Sequence, residues 1–246
     1  MSQDQQQPPP QTPQKKYLLL GTAAVLLIGA FLFGRWIDIP ATYGNAASQE
    51  PASQTASSTY QIDVFETDLI IGELENPVIT LVEYGSMTCP HCADFHNNIA
   101  SVLKNKYAEK PVIFIYRDYP LEKFALKAAI LARCDESKRQ AFVDIIYKKQ
   151  KSWIRGSESV ILQNLNMLAK MGGLSLEAYA ACQEDQALIE KIVKERKYGS
   201  DHFAIDATPT ILINGKKAPN GEDIEYFTQE IDDLLASVNQ THDMAQ

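Results

Sequence analysis

The chain has no basic surplus: 23 Lys and Arg stand against 31 Asp and Glu across 246 residues, a net charge of −8. Residues 1–59 are neutral, with Lys15, Lys16 and Arg35 balanced by Asp4, Asp38 and Glu50, so the acidic excess falls entirely on the remainder. That argues against a nucleic-acid partner, which favours a basic face. Beyond this, a moderate acidic balance speaks only to solubility. Internal repeats are absent too. Cysteine is sparse, with only Cys89, Cys92, Cys134 and Cys182. A C-x-x-C spacing among so few is a moderate signal that its surroundings must decide.

Long apolar runs are equally rare: one stands out. Residues 1–14, rich in Gln and Pro, cannot pack a core and read as a disordered cytoplasmic tail. Lys15-Lys16 then precede an uncharged run from Tyr17 to Gly34, closed by Arg35. This run is at the short end of a membrane span and longer than the usual signal-peptide core of about 7–15 residues. Residues 15–37 are therefore expected to be a signal-anchor or a signal peptide. A small-residue cleavage site is available near Gly44-Asn45-Ala46, but the length of the run favours a retained anchor. The excess of basic residues before the span keeps the N-terminus cytoplasmic and exports the rest. Residues 38–59, dominated by Ala, Ser, Thr and Gln, form a flexible linker.

From residue 60 the pattern is α/β. Val78-Ile79-Thr80-Leu81-Val82 and Val112-Ile113-Phe114-Ile115-Tyr116 are β-branched runs suited to strands buried on both faces. Between them Cys92, Phe95, Ile99, Val102 and Leu103 recur at helical spacing. From Leu121 to about Tyr198 the pattern is helical throughout, with stops and caps at Gly156-Ser157, Gly172-Gly173 and Ser175. Thr210 to Ile213 then enters a tight hairpin at Asn214-Gly215. Glu222 to Ala236 closes as an amphipathic helix with Ile224, Phe227, Ile231 and Leu234 on one face.

The chemistry concentrates at Cys89-Pro90-His91-Cys92. A buried strand and a short turn deliver Cys89 to a helix start, where Pro90 suits the first helical position. Free backbone N–H groups and the positive dipole end favour thiolate at Cys89, and His91 adds to this. Cys92, one turn on and facing Phe95 and Ile99, is the more buried sulfur. Cys89 is then the exposed attacking thiol and Cys92 the resolving one. Two other readings compete: a zinc site from Cys89, Cys92 and His96, which lacks a fourth ligand at a recognisable spacing, and an inert structural C-x-x-C. His96, His202 and His242 read as ordinary surface or helix residues. Cys134 and Cys182, both in the helical stretch, are expected to be bridged in an oxidising compartment.

Leu81-Val82-Glu83-Tyr84-Gly85-Ser86-Met87-Thr88-Cys89-Pro90-His91-Cys92 resembles the active-site segment of the DsbA family of disulfide oxidoreductases. Arg117-Asp118-Tyr119-Pro120-Leu121 and Thr208-Pro209-Thr210-Ile211-Leu212-Ile213-Asn214-Gly215 resemble its later blocks, in the same order. The resemblance implies a thioredoxin fold with an inserted all-helical subdomain. The fold would occupy residues 60–120 and 199–240, with the insert between them at 121–198 and a tail at 241–246. It implies that Pro209 is a cis-proline which, with Thr208, holds an extended substrate strand. It also implies that Glu83 is a buried acid assisting proton transfer near Cys92. No cofactor is implied beyond the redox-active Cys89–Cys92 disulfide, and no metal. The implied activity introduces disulfides into reduced, unfolded exported proteins in the periplasm, with re-oxidation by a quinone-linked membrane oxidase of DsbB type. An isomerase or reductase of the same fold is the alternative, as is a tethered metal-binding or substrate-holding module. Ala30-x-x-x-Gly34 is a weak helix-association motif, so a monomer is expected.

Overall fold

The structure, a computed structural model, describes residues 62–243 apart from 74, 220 and 222. The expected tail (1–14), anchor or signal segment (15–37) and linker (38–59) lie outside the described residues, within which no helix is long and apolar enough to cross a membrane. The five strands β1 (Leu69–Ile71), β2 (Ile79–Gly85), β3 (Val112–Asp118), β4 (Thr210–Ile213) and β5 (Lys216–Lys217) form one sheet in the order β1-β3-β2-β4-β5. The central pair β2 and β3 is parallel, with Glu83 beside Tyr116, and β1 and β4 flank it antiparallel. Every residue of β3 and all of β2 except Thr80 are buried. This is why their sequences are continuous apolar runs rather than alternating ones.

Each face of the sheet carries its own core. On one face Leu81, Phe114, Ile211 and Ile213 pack against Phe95, Leu103, Phe227 and Ile231. These come from the crossover between β2 and β3 and from the last helix. The crossover comprises α1 (Pro90–Asp94), a π-helical stretch (Phe95–Ala100) and α2 (Ser101–Lys106). Its apolar face departs from the spacing expected from sequence, because Val102 is 49% exposed while Leu103 is fully buried. The wider π turns delay the helical phase, so His96, Ala100, Leu103 and Tyr107 take the inner face instead. On the other face Val82, Tyr84, Ile113, Ile115 and Leu212 pack against Ile62, Tyr119 and Ile205.

Six helices stand between β3 and β4: α3 (Lys123–Arg133), α4 (Arg139–Lys148), α5 (Gln150–Trp153), α6 (Glu158–Met171), α7 (Leu176–Gln183) and α8 (Gln186–Phe203). Carboxylate and hydroxyl caps start several of them: Glu122 accepts from the N–H groups of Phe124 and Ala125, Ser175 from Ala178, and Asp185 from Ala187 and Leu188. α8 passes the boundary expected at 198 because Gly199 does not break it. A Cβ there would lie 2.7 Å from Tyr84 Cε1, so the glycine lets helix and sheet approach. The helix stops at Ala204, in the left-handed region. Cys134, at the end of α3, is bonded to Cys182 in α7 with a Cα separation of 5.8 Å. The final helix α9 (Ile224–Asp243) outruns the expected end at Ala236.

Buried ion pairs fasten insert and sheet together. Arg133 Nε donates to Asp118 Oδ2 at 2.7 Å and its NH1 to Glu195 Oε1 at 2.8 Å, joining α3, β3 and α8. Arg117, wholly buried on β3, donates from Nε and NH2 to the two Asp68 carboxylate oxygens, each at 2.7 Å, and from NH1 to Tyr84 Oη. A bidentate pair of this kind fixes orientation as well as charge. It seats the segment that leads into β1.

Candidate active site

β2 ends at Gly85, and Ser86 to Thr88 turn the chain into α1, with Cys89 as N-cap and Pro90 in the first helical turn. The Cys89 N–H donates to the Ser86 carbonyl at 3.0 Å. The Gln150 side chain locks the turn from outside, its Nε2 donating to the Met87 and Cys89 carbonyls at 3.0 and 2.8 Å. Both Cys89 and Cys92 are free thiols. Cys92 is fully buried, and its Sγ accepts from the Ser86 N–H at 3.4 Å. Cys89 is less exposed than a reading of the helix start alone suggests, at 8%. The residues ahead of β4 cover it: Cys89 Sγ donates to the Thr208 carbonyl at 3.2 Å, and the Thr208–Pro209 peptide is cis.

The two sulfurs are held at opposite ends of the thiol range. Hydrogen bonding from Cys92 lowers the Cys89 pKa to about 5; burial opposes this, while the Thr208 side-chain hydroxyl and the backbone N–H groups of Cys92 and His91 add to it. His91 thus acts on the sulfur through its backbone, while its exposed side chain borders a neighbouring groove. Burial raises Cys92 far above the ordinary thiol value, reinforced by the hydrogen bond it donates to Cys89 and by the nearby Glu83. One thiol is poised as thiolate and the other retains its proton.

Behind Cys92 lies a polar pocket. Glu83, 4% exposed, leaves Oε1 with no hydrogen-bond partner. His96, read from sequence as an ordinary surface or helix residue, does lie in the helical run but is buried, at 4% exposure. The π-helical stretch turns it inward, where Nε2 lies 2.7 Å from Asp144 Oδ1 and Nδ1 lies 3.7 Å from Glu83 Oε2. Burial pushes its pKa down, but the hydrogen bond to Asp144 and the nearby Glu83 carboxylate outweigh this and raise it overall. Its ring packs against Tyr147 at 4.7 Å between centroids. Tyr116 and Tyr147 share a hydroxyl hydrogen bond of 2.9 Å. Gly85 is obligatory here: a Cβ would meet Tyr147 Oη at 2.7 Å, Tyr116 Cε2 at 2.8 Å and Glu83 Oε1 at 3.0 Å. As for zinc, His96 Nε2 is turned to Asp144, and among the described residues no three His, Cys, Asp or Glu side chains group as a metal site.

The structure therefore brings Cys89, Pro90, His91, Cys92, Glu83, Thr208 and Pro209 together, and holds Cys134 and Cys182 apart as a disulfide in the helical insert. Sequence reasoning missed Gln150, Asp144, Tyr116, Tyr147 and the placement of His96. Only His96 carried a usable signal, one helical turn beyond Cys92. Beside the sulfurs runs an apolar groove of about 560 Å³, lined by His91, Phe95, Ile99, Pro209, Ile211 and Phe227 among others.

Residues 65–233 match the Thioredoxin family. A protein of Rickettsia bellii named as a protein-disulfide oxidoreductase is 32% identical over 175 residues, covering 70% of this chain and 66%, just under two thirds, of that relative. A protein of Rickettsia typhi with the same kind of name is 30% identical, covering 76% of this chain and 68% of its own length. The crystal structure of Wolbachia pipientis alpha-DsbA1 superposes with a TM-score of 0.66 at 27% identity, covering 72% of this chain and 96% of that one. A C-x-x-C pair on the first turn of a helix, a cis-proline against it and these relatives lead to one assignment. The chain belongs to the DsbA-like family of thioredoxin-fold thiol–disulfide oxidoreductases.

Proposed function

We propose that this protein introduces disulfide bonds into exported proteins by exchange through Cys89–Cys92. The observation that carries the reading is the division of labour between the sulfurs, with Cys89 favoured as thiolate at a helix start and Cys92 buried and protonated. A substrate thiolate attacks Cys89 of the oxidised pair, the Cys89–Cys92 bond breaks, and Cys92 leaves and takes up a proton. A second substrate thiolate then attacks the substrate sulfur of the mixed disulfide and expels Cys89, a good leaving group because its thiolate is stable. Two electrons pass from the substrate to the pair. Stabilising one thiolate stabilises the reduced pair and so makes the disulfide more oxidising, a relation for which DsbA itself is the usual example. Pro209 and Thr208 hold the substrate backbone across Cys89, and the adjoining groove takes an apolar side chain.

The apolar run at Tyr17–Gly34 supports export, with the catalytic domain facing the periplasm and the run retained as an anchor. Re-oxidation falls to a quinone-linked membrane oxidase of DsbB type. Equilibration with glutathione buffers tests the direction. The pair should be more oxidising than about −200 mV, and a value near −270 mV, the range of thioredoxin, would make it a reductase. Oxidative refolding of a reduced disulfide protein should proceed stoichiometrically with the oxidised form.

A further inference from the structure

We propose that His96, seated on Asp144, carries the Cys92 proton between Glu83 and solvent. This rests on reading Cys89–Cys92 as a working redox pair. It concerns a need that reading leaves unmet: Cys92 is fully buried, yet it must gain a proton in one half-reaction and lose it in the other. Glu83 is near enough for its charge to act on Cys92, but it too is buried, at 4% exposure. A proton that reached Glu83 would still be inside the protein.

His96 supplies the way out. Its ring spans a buried and an exposed carboxylate, with Nδ1 3.7 Å from Glu83 Oε2 and Nε2 2.7 Å from Asp144 Oδ1. The Glu83 side chain is 5% exposed and that of Asp144 is 52% exposed. Two buried polar atoms here have no hydrogen-bond partner, His96 Nδ1 and Glu83 Oε1. Unsatisfied buried groups are costly and rare, and a functional role is one reason they persist. The 3.7 Å gap is beyond a hydrogen bond by only a few tenths of an ångström, so the relay requires a small side-chain rotation to close it.

The groups facing the ring come from every packed element: Glu83 from β2, Tyr116 from β3, Asp144 and Tyr147 from α4, with Lys104 on its own helical run. The two phenols are hydrogen-bonded to each other, and burial keeps both protonated far beyond neutral pH, so neither competes as a proton acceptor. Imidazole takes a proton on one nitrogen and releases it from the other. Transfer in one direction would leave the ring in the wrong tautomer. Here the two half-reactions move the proton in opposite directions, so each full cycle restores the ring without a flip. When the pair is reduced, the proton passes inward from solvent by Asp144, His96 and Glu83 to Cys92. When it is re-oxidised, Cys92 gives the proton to Glu83 and attacks Cys89, expelling the partner thiolate, while the proton leaves by His96 and Asp144.

Re-oxidation by glutathione disulfide separates the steps. Cys89 attacks first and releases one glutathione; Cys92 then resolves the mixed disulfide and releases the second. Acid-quenched mass spectrometry follows both. In H96Q, alkylation of Cys89 by iodoacetamide, which does not use the Cys92 proton, should stay within about twofold of the parent. Resolution should slow about tenfold or more, the scale of a lost proton-transfer group, and lose its pH dependence between about pH 5 and 8. D144N, altered at a half-exposed position, should slow the same step to a lesser degree and serves if H96Q does not fold. Resolution at the parent rate, or a slowing equal at every pH as from mere loosening, overturns the relay. If the parent itself never forms the Cys89–Cys92 disulfide with glutathione, the redox reading fails and the relay with it.

Discussion

Gln150 holds the Met87 and Cys89 carbonyls with a single amide nitrogen, from a helix about sixty residues further along the chain. Replacing it with Ala leaves the Met87 carbonyl without its donor, while the Cys89 carbonyl keeps the Ala93 N–H at 3.2 Å; an orphaned buried acceptor costs about 1–3 kcal/mol. We expect Q150A to show this loss in urea unfolding, and to raise the Cys89 pKa as the turn loosens; an unchanged midpoint would mean that water replaces the amide. Nothing in the sequence marks Gln150, because its partners are backbone carbonyls that could belong to any residues. Cys89 and Cys92 were legible because their chemistry depends on residue type and spacing, whereas Pro209 was legible only through the resemblance to the DsbA family, since on its own Thr208-Pro209 merely starts a strand. His96 was half legible: its spacing from Cys92 suggested a shared face, but the partner that explains its burial, Asp144, sits in a helix without a motif.

At the scale of elements, strands were the clearest to read, since β2 and β3 are buried on both faces and open as apolar, largely β-branched runs, with their buried charges Glu83, Arg117 and Asp118 confined to the C-terminal halves. The crossover helix was not, because a π-helical stretch leaves no signature in composition and its extra residue is decided by what packs on either side. That misplacement propagates, which is why Val102 was assigned to a core it does not enter. The helical insert read correctly as helix but with no internal arrangement. Its one covalent fastening, Cys134–Cys182, closes a loop of sequence separation 48 between α3 and α7. Removing it in a double Ser variant should cost about 2–4 kcal/mol, mainly by freeing the unfolded chain. Thermal melting measures the loss, and the Cys89 alkylation rate should stay with the parent, since the bridge does not touch the redox pair.

For the molecule as a whole, the depressed Cys89 pKa links redox state to stability. In the reduced fold Cys89 titrates at about 5, against 9.0 as an ordinary thiol. A group with a depressed folded pKa stabilises the fold fully above its unfolded pKa and loses that contribution as pH falls through the folded value. The oxidised form has no such group. The margin of the reduced over the oxidised protein should therefore level off below about pH 5, grow through neutrality and peak near pH 9, above which it falls again because Cys92 ionises in the unfolded chain but is held protonated by burial in the fold. Calorimetry of both forms across this range tests it, and a margin independent of pH would mean that Cys89 is an ordinary thiol in the fold.

The complete burial of Cys92 also has a regiochemical consequence. An incoming thiol finds one sulfur to attack, so every mixed disulfide has the same connectivity, through Cys89. A client with a second thiol within reach releases itself by attacking its own sulfur in that bond. One with a lone cysteine has no such exit, and it leaves only when Cys92 turns back on Cys89 and returns it reduced. The enclosure of one sulfur thus becomes a rule of selection, by which the number of thiols a client can bring together, rather than the sequence around them, decides whether it departs oxidised.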